Sequence, residues 1–492
     1  MIKTKLSLLL CFCILCSLII GCSDNGGGNN SAAETTQNGE NALSETVEET
    51  MYEPDSLPAD LNFNGQVVKV FWWEEIQEFK TEFDGDIVND ALYMRDKNVE
   101  DRLNVKIENI PMSYTWDTRA LYIDSIRATV LADDNSKDIV SGQYATMPAL
   151  VPEGFLLNLA ALPYLDFDKP WWVQGLIEET TIDGKLYLVS GNYTTQAIKC
   201  VYAVYFNKVL HESLGLEDMY AVVNDGRWTI DKMIEMIDNT YSDINGDGVA
   251  GTEDMYGYVA YSGNALSPFI QGFDLKITTM NDQGYPEVSM NDEKWTRAVE
   301  IMCDLIHVNP NTMMGTDQTA ADLDTMYKNN QILFYPNTFN FATVLKDMDN
   351  DFGILPMPKW NDSQKNYYTA IGESNTLFGI VSNCKITDTV AAVMEAMFSE
   401  SYRTVTPALY ETALKVKYSR DDESAQMFDL IMEGVLFNFG SIYTFDMESL
   451  NTRFKGVIGQ NNKNWASTVA TFESNAVTKI GAYIENVKNL ED

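Results

Sequence analysis

Residues 66 to 73 read QVVKVFWW, and the pattern that starts there limits the folds open to this chain. The run has the character of a buried strand ending in aromatics. Val88, Leu92, Val99 and Leu103 then recur on one helical face. VKIENI (105 to 110) reads as a second strand, a helical stretch covers about 118 to 131, and DIVSG (138 to 142) reads as a third strand. Strand, helix, strand, helix, strand implies a parallel sheet, because parallel neighbours need a long crossover and a helix supplies it. In such sheets a guest sits beyond the carboxyl ends of the strands. Trp72, Trp73 and Glu74 follow the first strand, and Gln143 and Tyr144 the third, so these are candidate binding residues.

The same alternation continues. Residues 183 to 216 hold strand-like runs and then a short helix closing at Gly215. Ile230, Met233, Ile234 and Ile237 make an amphipathic helix with Thr229 as its N-cap. Helices are expected around 295 to 307 and 320 to 329, and QILFYPN and MYGYVAYS read as strands. DFGILPMPKW (351 to 360) reads as an extended crossing segment stiffened by two prolines, and the chain beyond about 390 as mostly helical. A chain of 492 residues, 45% hydrophobic, is long enough for two or three domains or for one protein of two large lobes, and can bury a sizeable core. Its formal net charge of −38 argues against a nucleic-acid partner, since such a surface repels phosphates.

The first residues are not part of that fold. Lys3 and Lys5 precede an apolar run from 6 to 20 that is shorter than a spanning helix needs, followed by Gly21 and Cys22. LIIGC resembles the lipobox of bacterial lipoproteins. That likeness implies cleavage after residue 21, lipid on Cys22 and attachment to the outer face of a membrane. Residues 22 to 56 are rich in Gly, Asn, Ser, Thr and Glu, without Lys or Arg, and read as a disordered tether. Cys200, Cys303 and Cys384 are too few and too scattered for a disulfide framework or a zinc site.

SDINGDGVAGTEDMYG (242 to 257) is the most chemically specific stretch. Asp243, Asn245, Asp247, Val249 and Asp254 fall at the first, third, fifth, seventh and twelfth positions of a calcium loop. Val249 would offer its carbonyl, and Gly248 permits the turn at the sixth position. A sensor pairs two such loops around an opening groove. A single copy between a helix and a strand is expected to be a structural calcium clip.

GKLYLVSG followed by YAVYFNKVLHESLGL, then GRWTIDKMIEMI and FGILPMPK, in that order and with the lipobox, resembles the extracellular solute-binding proteins of sugar-importing ABC transporters. GDIVNDALYMRDKNVEDRLNVKI and KPWW resemble one branch of these from Gram-positive gut and rumen bacteria. The resemblance implies an α/β, two-lobed periplasmic-binding-protein-like fold, each lobe a mainly parallel sheet flanked by helices, joined by a multi-strand hinge. By that likeness the first lobe holds 57–187 and 358–400, and the second 188–357 and 401–492. It also implies a lipid-anchored monomeric receptor that encloses a mono- or oligosaccharide and delivers it to the permease subunits of an ABC importer, with no covalent chemistry. Sugars are held by stacking on aromatic faces and by pairing hydroxyls with amides and carboxylates. Asn192 and Tyr193 near the first crossing, Asn337 and Phe339 in FYPNTFNF, and Glu373 and Ser374 on the return join the candidates. His211 and His307 have no nucleophile or metal ligand at recognisable spacing. The alternative is a calcium-braced surface glycoside hydrolase or lyase, because a glycosidase needs only a pair of carboxylates and this acidic chain carries many.

Overall fold

The computed structural model describes residues 53–491 apart from 81, 317–318 and 419–420. The export signal, Cys22 and the tether up to residue 52 lie outside the described residues. Residues 53–56, assigned to the tether by composition, are described: the Asp55 carboxylate lies 2.5 Å from Arg102 and 3.8 Å from Arg403.

The strands are β1 (Gln66–Trp73), β2 (Val105–Met112), β3 (Ile139–Gln143), β4 (Tyr202–Asn207), β5 (Tyr256–Ala260), β6 (Thr278–Met280), β7 (Pro286–Val288), β8 (Thr312–Met314), β9 (Ile332–Thr338), β10 (Phe352–Leu355) and β11 (Thr376–Ile380). They form two main sheets, ordered β11-β3-β1-β2 and β10-β4-β9-β5-β8, and a small β6-β7 pair. In the first sheet, β1 pairs parallel with β2 and β3, joined by the helices Ile87–Leu103 and Arg119–Leu131. Asp86 caps the first of these helices by accepting from Val88 and Asn89 N–H, and Leu92, Val99 and Leu103 are its buried face.

The second sheet corrects one expectation. It is mixed rather than mainly parallel: β5 runs parallel to β8 and β9, but β4 is antiparallel to both of its neighbours. The first sheet has one reversed strand too, β11 against β3. Both reversed strands are entered directly from a crossing between the sheets, so each starts at the end where its parallel neighbours finish. Alternating apolarity marks a strand but does not encode this direction.

Three segments cross between the lobes. The first spans roughly 189–201 and the second 369–376, bridged antiparallel at Val189–Phe378 and Val201–Ile371. The third follows the helix Thr387–Arg403, because Asp421 already pairs with Lys208 and Phe428 packs on Phe339 in the second lobe. The 434–438 segment, which joins two parts of that lobe, lies parallel to Thr369, with Thr369 N–H bonding Gly434 O and Leu436 N–H bonding Thr369 O. The extended 351–360 segment does not cross. It begins as edge strand β10, and Lys359 then exchanges backbone bonds with Trp228 and Ile230 of the second lobe.

A buried network anchors the start of the first crossing to the first lobe. Arg95 is fully buried on the 87–103 helix; it donates to Tyr193 O at 2.6 Å and pairs with Asp96 at 2.7 Å. The Glu78 carboxylate, 1% exposed, accepts from both the N–H and the hydroxyl of Thr195. At the other end of the chain, the helix Trp465–Asn489 is rooted in the second lobe, where Trp465 stacks on Trp295 at 5.2 Å and donates to Met290 O. Its far end meets the first lobe: Lys185 Nζ donates to the carbonyls of Lys488 and Leu490.

Candidate functional site

A cleft of about 530 Å³ lies against the crossings and is walled by both lobes. The parallel strands of each sheet aim their carboxyl ends at it, as expected for open α/β sheets. Glu75 and Ile76 follow β1, Trp116 follows β2, and Gln143 and Tyr144 stand at the end of β3. From the other side, Tyr261, Asn264, Ser267 and Gln271 follow β5, and Thr338 and Asn340 close β9. The first two crossings supply Gln196, Lys199, Cys200, Tyr202 and residues 370–374, with Leu436, Ser441 and Asn451 beside them.

Several polar groups of the first lobe and the crossings are held in place. The Glu75 carboxylate accepts from Ser113 Oγ at 2.7 Å and from Tyr114 N–H at 2.9 Å. Gln143 Oε1 accepts the Tyr114 hydroxyl at 2.8 Å. The Tyr202 and Tyr261 hydroxyls lie 2.9 Å apart. Burial pushes the Tyr144 and Tyr202 phenols well above their ordinary value, so both hydroxyls stay neutral, and burial pushes the Cys200 thiol up to about 12, away from the thiolate. Glu373 lies 3.9 Å from Lys455, which also bonds Asn264 Oδ1. Trp116 is 45% exposed; its ring meets the Arg119 guanidinium at 4.1 Å and the Phe445 ring at 5.3 Å. An exposed indole backed by a cation is a ready stacking face for the C–H side of a polyol.

Of the residues anticipated from sequence, Gln143, Tyr144, Glu373 and Ser374 come together in this cleft. The others do not line it. Trp72 and Trp73 are buried in the first lobe, edge-on to Phe79 and Tyr114. Glu74 is exposed and outside the lining. Asn192 donates to Thr406, and Tyr193 is buried against Phe378 and Arg95. Asn337 accepts from its neighbour Thr338 N–H, and Phe339 packs on Phe428. His211 and His307 each bond a backbone carbonyl, of Glu217 and Ile458 respectively, away from the cleft.

The acidic loop is closed at its base by a two-bond bridge between Ser242 and Met255. Asp243 accepts the Gly246 and Gly248 N–H groups, Asn245 that of Asp247, and Asp247 that of Val249. Asp254 is fully buried and accepts from Ile244, Gly251 and the Tyr241 hydroxyl. Gly246 and Gly248 have φ of +74° and +71°, which side chains at those positions would resist. Among the described residues no three His, Cys, Asp or Glu side chains gather closely enough to hold a metal ion. The donor set itself, three carboxylates, an amide oxygen and a carbonyl, suits a hard divalent cation.

No family model matches the chain, and no curated protein matches it. Solved structures do. An ABC substrate-binding protein from Listeria monocytogenes, in complex with cycloalternan, is 13% identical over 85% of this chain and 99% of its own, with a TM-score of 0.53. The galacto-N-biose-/lacto-N-biose I-binding protein of the ABC transporter from Bifidobacterium longum, in complex with lacto-N-biose, is 11% identical over 87% and 100%, TM-score 0.55. The maltose/maltodextrin-binding domain from Bdellovibrio bacteriovorus, bound to maltotriose, is 14% identical over 84% and 100%, TM-score 0.53. At these identities the likeness is one of architecture: the chain has the two-lobed α/β fold of solute-binding proteins.

Proposed function

We propose that this protein is a sugar receptor of the extracellular solute-binding class, which encloses a carbohydrate between its lobes and passes it to an ABC importer. The observation that carries the reading is the cleft between two lobes, where both sheets aim their parallel strand ends and where Trp116 offers a stacking face beside neutral hydroxyls and amides. Structures of the same fold hold cycloalternan, lacto-N-biose and maltotriose. The work is done by bending: a guest that touches both walls favours the closed arrangement over the open one, and no bond in it changes. Glu75 and Glu373 both line the cleft, so an assay for new reducing ends is the direct check against hydrolysis.

A calorimetric and thermal-shift screen over neutral and charged mono- and oligosaccharides tests the reading. Binding of a sugar without its cleavage is the expected result; cleavage, or no binding across the panel, overturns it. Replacing Trp116 by Ala should weaken the best ligand by about 1 kcal/mol or more, the usual worth of an aromatic contact beyond its area.

Residues 1–21 act in this reading as a leader, and lipid on Cys22 holds the receptor at the outer face of the membrane as a monomer. No helix among the described residues is long and apolar enough to cross a membrane. We assign the acidic loop a structural calcium, with Asp243, Asn245, Asp247, Asp254 and the Val249 carbonyl as its ligands. The ion would supply charge compensation for three carboxylates on one short loop. Calcium should then raise the melting temperature relative to a chelator, by mass action on the folded state. Asp247→Ala should abolish that difference, and equal melting of the wild-type protein with and without calcium removes the assignment.

A further inference from the structure

The cleft is chemically two-sided. All of its formal charge, on Glu75, Lys199 and Glu373, comes from the first lobe and the crossings. The opposite wall runs through Tyr261, Asn264, Ser267 and Gln271 to Ser441 and Asn451, and it contains no carboxylate, ammonium or guanidinium. Lys455 stands behind Asn264, but its ammonium is engaged by Asn264 Oδ1 and lies 3.9 Å from Glu373.

Within this wall three polar atoms are buried and have no hydrogen-bond partner among the described residues: Ser267 Oγ, Gln271 Oε1 and Ser441 Oγ. Gln271 and Ser441 are each only 6% exposed. Buried polar atoms are nearly always paired, and leaving one unpaired costs free energy that a bound group can return. The facing wall differs, because Gln143 Oε1 is already bonded to Tyr114 and Glu75 to Ser113 and Tyr114. An amide edge and two hydroxyls can both donate and accept, which matches adjacent ligand hydroxyls. They offer no counter-charge to a buried ion, whose desolvation would go uncompensated.

Resting on the carbohydrate reading above, we propose that this wall is the subsite that selects an uncharged, polyhydroxylated ring, with Gln271 as its main determinant. Rings that carry a carboxylate or an ammonium in that position are refused. The charged residues of the other wall meet the parts of the ligand that stay nearer solvent.

Calorimetry on the purified protein tests this with malto-, cello-, xylo- and manno-oligosaccharides and their monosaccharides, then with the uronate and amino-sugar counterparts of the tightest binder. The neutral sugar should bind at least about tenfold more tightly than either charged counterpart, since buried groups built for hydroxyls discriminate strongly. Gln271→Leu, which keeps the bulk and removes the amide, should cost the neutral sugar about tenfold or more. Should that variant fail to fold, the double variant Ser267→Ala with Ser441→Ala removes two hydroxyls with little change of shape and is expected to weaken binding in the same direction. A charged counterpart that binds as tightly as the neutral sugar, or variants that bind it like the wild type, overturns the subsite and leaves the receptor reading standing. Failure of every sugar to bind brings down both.

Discussion

Glu395 sits at full burial on the helix Thr387–Arg403, accepting the Asp166 N–H at 3.3 Å. Burial pushes its carboxyl from 4.5 up to about 8, only partly offset by the Asp166 N–H and the Trp171 side chain, while Asp55 and Asp166 push the same way as burial. Between those values the folded chain keeps a proton that the unfolded chain has released. This contribution to stability is therefore whole below pH 4.5 and is lost as pH rises through about 8. Glu395→Gln keeps the shape and cannot ionise. Its melting temperature relative to wild type should climb from pH 5 to pH 9, and a constant gap would contradict the assignment. On β9 the offset is one of parity: Thr338 lines the cleft and its neighbour Asn337 does not, because side chains alternate faces along a strand. After β1 the chain turns into a short 3-10 helix, Glu74–Ile76, and it is Glu75 and Ile76 that reach the cleft. Trp72 and Trp73 end a strand, where a sugar platform would stand, yet large aromatics at strand ends also fill cores, as these two do. Trp116 carries no periodic signal, since it stands in the short loop between β2 and the next helix.

At the scale of elements, the first crossing is constrained by close packing as well as by the Glu78 and Arg95 network. Gly191 pairs with Trp172, and a Cβ there would stand 2.1 Å from the Trp171 carbonyl and 3.0 Å from the Phe398 ring. The carbonyl is backbone and cannot step aside. Gly191→Ala should destabilise by about 1–3 kcal/mol, the usual range for overpacking, measured by urea unfolding; an unchanged midpoint would show that the crossing has slack. The order of strands and helices through the first lobe was legible from apolar spacing, because each element buries one face: the predicted strands at 66, 105 and 138 and the helices between them all formed. So was the Thr229 cap, whose hydroxyl accepts the Lys232 N–H. The reversal of β4 and the true place of the second crossing were not legible. Both depend on which distant segment a strand meets, as when Lys359 bonds Trp228 rather than the first lobe.

For the whole molecule, two lobes joined by three segments can bend but are poorly suited to sliding, because the first two crossings are bridged to each other and the second also to the 434–438 segment of the second lobe. Scattering in solution should report a smaller radius of gyration when a binding sugar is added, and an identical profile with and without it would contradict closure. The fold as a whole was readable, since length, alternation and the ordered motifs agree on two α/β lobes, while the cleft wall that faces Trp116 was scattered over 261–271, 338–340 and 441–451 and converges only in three dimensions. The last helix adds a practical point. Its 25 residues make a rod of about 37 Å at 1.5 Å per residue, rooted beside Trp295 and touching Lys185 just ahead of the first crossing. A fluorophore grafted beyond Leu490 would ride close to the fulcrum and register little of the jaws' travel; a donor and acceptor placed on the rims near Trp116 and Asn264 would register most of it.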